Sequence, residues 1–274
     1  MTVDATAIDS VRQLAPAREA HAPDSSTLAP GLRLLPEPLR ADVYRLYRVL
    51  RTLDDLVDED RDEAEQTLAA VERWTTGEGS DGPESATLAD LAQRCGLSPE
   101  PVAEFCRAMR HDMARASVKT EADLERYCQW AGGSVGVMLA QVIGVALPDG
   151  EARMATLGRA VQRTNILRDI DEDAAHGRVY VARSTIERFG PPTPGDRREL
   201  LRDQIAKADA LYTEALSTTP ILKEGHRGLM LSASLYRQLL REIERRGYGQ
   251  KAGRVVLPAW RRRLLVFRYR LRAT

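Results

Sequence analysis

Two short stretches of the chain gather carboxylates at helical spacing. They are Arg51-Thr52-Leu53-Asp54-Asp55-Leu56-Val57-Asp58-Glu59 and Asn165-Ile166-Leu167-Arg168-Asp169-Ile170-Asp171-Glu172-Asp173. Residues three and four apart on a helix share a face. Tyr47, Arg51, Asp54 or Asp55, and Asp58 therefore fall on one stripe, and Asn165, Asp169, Glu172 and Asp173 on another, with Gln162 one turn earlier. Like charges at that spacing repel one another, and a bound cation would offset the cost. Hard oxygen donors on two helices suit Mg²⁺, with Mn²⁺ as the alternative, because Mg²⁺ binds through a few carboxylates together with substrate phosphates. Arg51 and Arg168 stand beside the two acidic runs, and a guanidinium pairs with phosphate through two parallel hydrogen bonds. A single acidic face is usually a solvated surface. Two of them, each in an apolar-rich helix with its own arginine, point to a divalent-metal site that brackets a diphosphate.

The elements that must position these residues are helices. Ala, Leu, Arg and Glu dominate, and β-branched alternation is scarce. Residues 1–24 lack a period and read as a flexible arm, leaving 25–274 as one helical domain. Pro36-Glu37-Pro38 opens a helix, in which apolar residues recur at helical spacing through Val43, Leu46, Tyr47, Leu50, Leu53 and Val57. Gly77–Pro83 is a loop, and Ser98-Pro99-Glu100-Pro101 starts another helix. Asp123–Leu147 reads as one long apolar helix and Leu157–Ala174 as a second, the latter stopped by His176-Gly177. The Gly190–Gly195 breaker lies between helices, and Arg197–Thr218 and His226–Arg246 complete the set. The expected architecture is an all-α, single-domain bundle around an apolar central cavity.

Composition removes other classes. Lysine plus arginine balances aspartate plus glutamate at 40 each, which gives nucleic-acid binding no electrostatic basis. Cys95, Cys106 and Cys128 form no CxxC pair, against a zinc site or a disulfide framework and in keeping with a reducing cytoplasm. The first residues carry mixed charge without the apolar core of a signal peptide, and Val135–Leu147 is too short to span a bilayer. His21, His111, His176 and His226 show no ligand spacing, and Trp74, Trp130 and Trp260 read as core or interface residues.

Taken together, the motifs resemble the squalene/phytoene synthase family, the head-to-head prenyl synthases. The resemblance rests on LRLLPEPLR at 32–40, YRLYRVLRTLDDLVDE at 44–59, YCQWAGGSVGVMLA at 127–140, QRTNILRDIDEDAAHGRVYV at 162–181 and LYRQLLREIERRGYG at 235–249. A DDxxD run alone also fits chain-elongating enzymes and terpene cyclases; NxxRDxxED followed by GRxY, with YCxxxGGxVG, is far more specific. The resemblance implies an isoprenoid-synthase-like fold and condensation of two prenyl diphosphates, farnesyl or geranylgeranyl, through a cyclopropyl intermediate. It implies that Asp54, Asp55, Asp58, Asp169 and Asp173 hold the metal ions. Arg51, Arg168, Arg178 and Tyr180 would hold diphosphate, with Tyr47, Gln162 and Asn165 among the substrate contacts. Tyr127 would assist proton removal or diphosphate departure, and Gly132, Gly133 and Gly136 would let a helix approach the hydrocarbon chain closely.

The chain departs from the family pattern at several points. Ser25-Ser26-Thr27 lacks the usual Phe, Ser117-Val118 stands where an Arg-Tyr pair is common after Asp112, and Ala182 replaces a proline. Three phenylalanines in all would make an aromatic-poor cavity. Cyclisation or transfer of a single prenyl diphosphate, or a non-catalytic subunit that binds prenyl diphosphate, are the competing readings. No GxGxxG follows a strand, so an NADPH requirement is not expected. The oligomeric state is left open by the sequence. The C-terminal run Trp260-Arg261-Arg262-Arg263 and Phe267-Arg268-Tyr269-Arg270-Leu271-Arg272 fits a solvated face with snorkelling arginines or, alternatively, peripheral contact with an anionic membrane surface.

Overall fold

The apolar stripe beginning at Val43 winds along a helix of 22 residues, Glu37–Asp58, and buries Val43, Leu46, Val49, Leu50, Leu53 and Val57. Pro38 sits in its first turn, where a missing N–H costs no hydrogen bond. The computed structural model describes residues 29–216 and 221–271. The predicted arm 1–24, Ser25-Ser26-Thr27, and the Thr218 end of the predicted 197–218 helix lie outside them. In chain order the helices are α1 (Ala29–Leu32), α2 (Glu37–Asp58), α3 (Ala64–Thr76), α4 (Pro83–Cys95), α5 (Pro99–Met113) and α6 (Glu121–Cys128). A π-helical turn at Gln129–Gly133 leads into α7 (Ser134–Ile143), then α8 (Gly150–Ala175), α9 (Arg183–Phe189), α10 (Arg198–Ala215), α11 (His226–Arg245) and α12 (Ala259–Leu271). Among the described residues the only β pairing is one isolated bridge, Val145 to Leu222, so the all-α expectation holds.

The predicted long helix from Asp123 to Leu147 is continuous from Glu121 to Ile143, carries a π turn inside it and ends four residues earlier than expected. The chain leaves α6 at Cys128, makes the π turn, and ends α7 at Gly144, whose φ of +89° suits glycine. The reason lies in backbone packing. A Cβ on Gly132 would sit 2.4 Å from the Gly158 carbonyl oxygen, one on Gly136 would sit 2.1 Å from that of Met154, and one on Gly158 would sit 2.0 Å from that of Gly132. These glycines bring the π turn and α7 against the backbone of α8. Gly132 and Gly136 lie against helix α8, while a Cβ on Gly133 would strike the Gln129 side chain.

Helix α8 is the centre of the bundle, packed by α6, the π turn, α7, α10 and α11. One apolar cluster lies on the α2–α7 side and a second on the α8, α10 and α11 side. Leu139 and Ile143 of α7 touch both. At that seam an apolar recess of about 400 Å³ opens between α1, α7, α11 and the start of α8, walled by Leu32, Leu35, Leu139, Ile143, Met154 and Leu229. A smaller recess of about 250 Å³ lies beside Asp173, Arg178 and Tyr180.

Candidate active site

Helix α2 packs on α3, α4, α5 and α7, and α8 packs on α6, the π turn, α7, α10 and α11, so the two share α7. The two acidic runs come close enough for the Asp58 charge to act on Asp173. The loop after α8 ties them together. Arg178 donates to Asp58 Oδ1 and, at 3.3 Å, to the Val57 carbonyl oxygen, both at the end of α2. Two residues on, the Tyr180 hydroxyl donates to Asp112 Oδ1 on α5 at 2.9 Å. The tight turn that permits this has the Arg178 N–H bonded to the Asp173 carbonyl oxygen at 2.8 Å, with Gly177 at φ +73°.

Most carboxylates of the two runs are held by arginines. Arg51 bonds Asp54 at 2.8 Å and Asp55 at 2.6 Å, one and the same guanidinium serving the i+3 and i+4 positions. Arg168 forks onto Asp169 at 2.8 and 2.5 Å. Arg254, from the segment after α11, adds contacts to Asp169 at 3.2 Å and Glu172 at 2.7 Å. Arg197 forks onto Asp171 at 2.6 and 2.7 Å, so this acid serves structure and not the cleft. Asp173 makes no ion pair among the described residues. Burial, and after it the Asp169 and Asp58 charges, push its carboxyl up to about 7. Asp54 is likewise raised to about 7, first by burial and then by Asp58. Its side chain keeps 38% exposure because it faces the cleft, yet it is deeply surrounded by protein. Asp58 is raised by burial, against the pull of Arg178.

The two tyrosines form one unit with a third residue. Tyr127 and Tyr180 stack at 4.9 Å, and Tyr127 donates to Asp112 Oδ2 at 2.9 Å. Asp112 thus accepts from both phenols. Burial, and then the Asp112 charge, hold the Tyr127 and Tyr180 hydroxyls well above the usual phenol range. Both stay protonated at neutral pH. Across the cleft, Tyr236 on α11 is buried beside Arg168 and Asp169, with Tyr47 nearby. Gln162 and Asn165 lie one turn apart, with Asn165 Nδ2 3.5 Å from Gln162 Oε1.

The structure therefore gathers the predicted acids, Arg51, Arg168, Arg178, Tyr180, Tyr127 and Tyr47 around one cleft. Sequence reasoning missed Asp112 and Arg254 as participants. Asp112 had one available signal: it is an acid on the buried face of α5, beside Phe105, Ala108 and Met109. Arg254 sits in an aperiodic glycine-containing stretch with no such signal.

The donor set fits a hard divalent cation. Two carboxylates are raised, first by burial and then by neighbouring carboxylates, and Asn165 Oδ1 is a buried oxygen without a hydrogen-bond partner. Among the described residues no three acidic, His or Cys side chains converge into a preformed cage.

Helical bundles of this arrangement with known chemistry exist. The chain superposes on a dehydrosqualene synthase solved with a ligand at TM-score 0.80, with 26% identity over 92% of this chain and 93% of the other. It superposes on a squalene synthase from Alicyclobacillus acidocaldarius at 0.71, with 25% identity over 84% and 92%. The fold is thus that of the isoprenoid synthases. In sequence, a phytoene synthase of Thermus thermophilus is 34% identical over 88% of this chain and 87% of its own length. A presqualene diphosphate synthase of Rhodopseudomonas palustris is 33% identical over 60% and 61%. Residues 22–261 match the profile of the family described as Squalene/phytoene synthase, and the chain belongs to that family of prenyltransferases.

Proposed function

We propose that this enzyme condenses two prenyl diphosphates head-to-head, releasing diphosphate, to give a phytoene- or presqualene-type product. The observation that carries the reading is the Arg178–Asp58 bridge, which joins the two acidic helices over a single cleft. Asp54, Asp55 and Asp58 on one side and Asp169 and Asp173 on the other would hold Mg²⁺, which supplies charge neutralisation for the departing diphosphate. The guanidiniums of Arg51, Arg168, Arg178 and Arg254 hold carboxylates and are poised to exchange them for phosphate, an anion that a guanidinium takes with the same hydrogen bonds. That exchange would free the carboxylates as the metal arrives.

The chain's own residues do the rest. The apolar recess walled by Leu139, Ile143 and Leu229 would take the prenyl tail, and a dry wall protects an allylic cation from water. Tyr127 commits its proton to Asp112 Oδ2, so its oxygen lone pairs are what it offers to developing positive charge. A neutral phenol of this kind orients and stabilises, and its raised pKa keeps it from acting as a standing phenolate base. No nicotinamide is proposed to be needed.

The test is direct. The protein is incubated with Mg²⁺ and farnesyl or geranylgeranyl diphosphate, with and without NADPH, and the extract is analysed by mass. Products with twice the substrate carbons support the reading; products with equal carbons, or none, refute it.

A further inference from the structure

Among the described residues, six large hydrophobic side chains are exposed, and four of them, Val256, Trp260, Leu264 and Phe267, lie within one short segment. Three of these belong to α12. At about 100° per residue, Trp260, Leu264 and Phe267 fall within an arc of roughly 60°. Leu265, Val266 and Tyr269 lie on the opposite face and pack against the second apolar cluster. The helix is therefore apolar on two sides, and only the inner side has a protein partner. The exposures decide against a merely solvated face: Trp260 is 60% and Phe267 58% open, where a solvated helix would place its charges.

Charge flanks the outer stripe. Arg263 falls to one side of it and Arg268 to the other by the same helical arithmetic. Both are exposed, and neither has an ion-pair partner among the described residues. Arg261 stacks on the Trp260 ring at 4.9 Å and reaches Glu242, which fixes the indole at the start of the stripe. An aromatic and aliphatic stripe bordered by arginines is the pattern of a helix lying in a lipid interface, apolar face among the acyl chains and cations at the headgroups. No helix among the described residues is long and apolar enough to cross a membrane, so the contact is peripheral.

We infer that α12, through Trp260, Leu264 and Phe267 with Arg263 and Arg268, docks the protein on an anionic lipid surface. The segment that carries Arg254 onto Asp169 and Glu172 runs directly into this helix, so the docked face adjoins the cleft in the chain.

The experiment is sedimentation of the full chain with vesicles of equimolar phosphatidylglycerol and phosphatidylcholine, and with phosphatidylcholine alone. The wild-type protein is expected to pellet with the anionic vesicles, to bind the neutral ones about tenfold less, and to be released by salt. Trp260→Ser/Phe267→Ser is expected to lose at least about tenfold of that binding, and Arg263→Gln/Arg268→Gln to lose its salt dependence. Both pairs are exposed, and circular dichroism checks that helicity is kept. Wild-type protein left in the supernatant with anionic vesicles overturns the inference, as does binding unchanged in both variants. A concentration-dependent dimer in sedimentation velocity that Trp260→Ser/Phe267→Ser abolishes overturns it in favour of a second copy on this face. The readout is independent of prenyl turnover, so it stands or falls apart from the proposed reaction.

Discussion

The Tyr127 hydroxyl donates to Asp112 at 2.9 Å while Tyr180 donates to the other oxygen of the same carboxylate, also at 2.9 Å. One buried acid thus sets the orientation of two phenols, one from the end of α6 and one from the loop that bridges the acidic helices. An asparagine has one acceptor oxygen and presents an NH₂ group to the second phenol, so one of the two hydrogen bonds reverses and that phenol's proton loses its acceptor. Asp112→Asn is expected to lower kcat by about 10- to 100-fold, the equivalent of 1–3 kcal/mol for a misdirected buried hydrogen bond, with KM within about threefold. Steady-state kinetics together with a thermal melt check this. A variant that melts lower but keeps its kcat would reduce Asp112 to a structural part.

Much of this site was readable in the chain. The period-of-four placement of Arg51 with Asp54 and Asp55 survives unchanged as two ion pairs on α2. The helix over 37–58 and the loop at Gly190–Gly195 are where pattern and breakers put them. The π turn at Gln129–Gly133 was hidden, because it packs on Gly158, 26 residues beyond Gly132 along the chain, backbone against backbone. Periodicity registers side chains, and these contacts have none. Arg254 was hidden for a related reason: it reaches Asp169 through a loop held by Val255 N–H to the Arg168 carbonyl oxygen at 3.2 Å and Gly253 N–H to Asp171 at 2.8 Å. Those are long-range bonds with no local signature.

That close helix approach makes its own prediction. A methyl group on Gly158 would lie 2.0 Å from the Gly132 carbonyl oxygen and 3.0 Å from the Gly133 Cα, both backbone atoms that cannot rotate aside. Gly158→Ala is expected to destabilise the fold by about 2–3 kcal/mol. For a chain of this size that lowers the melting temperature by roughly 5–10 °C. Calorimetry reads it, and an unchanged melt would mean that the helices separate freely.

Glu121 supplies a pH dependence away from the cleft. Burial pushes its carboxyl up, but hydrogen bonds from Arg163, Lys207 and Gln204 prevail and hold it at about 2, against an ordinary 4.5. A lowered acid contributes stability that is complete above its unfolded value and is lost as pH falls through its folded value. The contribution is therefore whole above about pH 5 and gone near pH 2, amounting to roughly 3 kcal/mol at most. Glu121→Gln should cost most of that at neutral pH and progressively less towards about pH 3. Urea melts of both proteins across that range check it; a constant difference would place the cost in packing alone.

The two halves of the metal proposal can be separated by one substitution. Asp173 has no ion pair among the described residues, and its carboxyl is raised to about 7 by burial and by Asp169 and Asp58. Above that pH its charge works against the fold, so Asp173→Asn at about pH 8 should stabilise the metal-free protein by about 1 kcal/mol, discounted for the open cleft. The same change removes a proposed ligand. Wild-type protein saturated with Mg²⁺ and inorganic pyrophosphate, at about a hundred times their dissociation constants, gains about 2.7 kcal/mol by mass action. In Asp173→Asn that gain should largely vanish. Differential scanning fluorimetry then gives opposite signs: a higher melt without ligand and a smaller rise with it. A variant that keeps the full ligand-induced rise would remove Asp173 from the metal site, and one that melts lower without ligand would mean that its charge was already compensated.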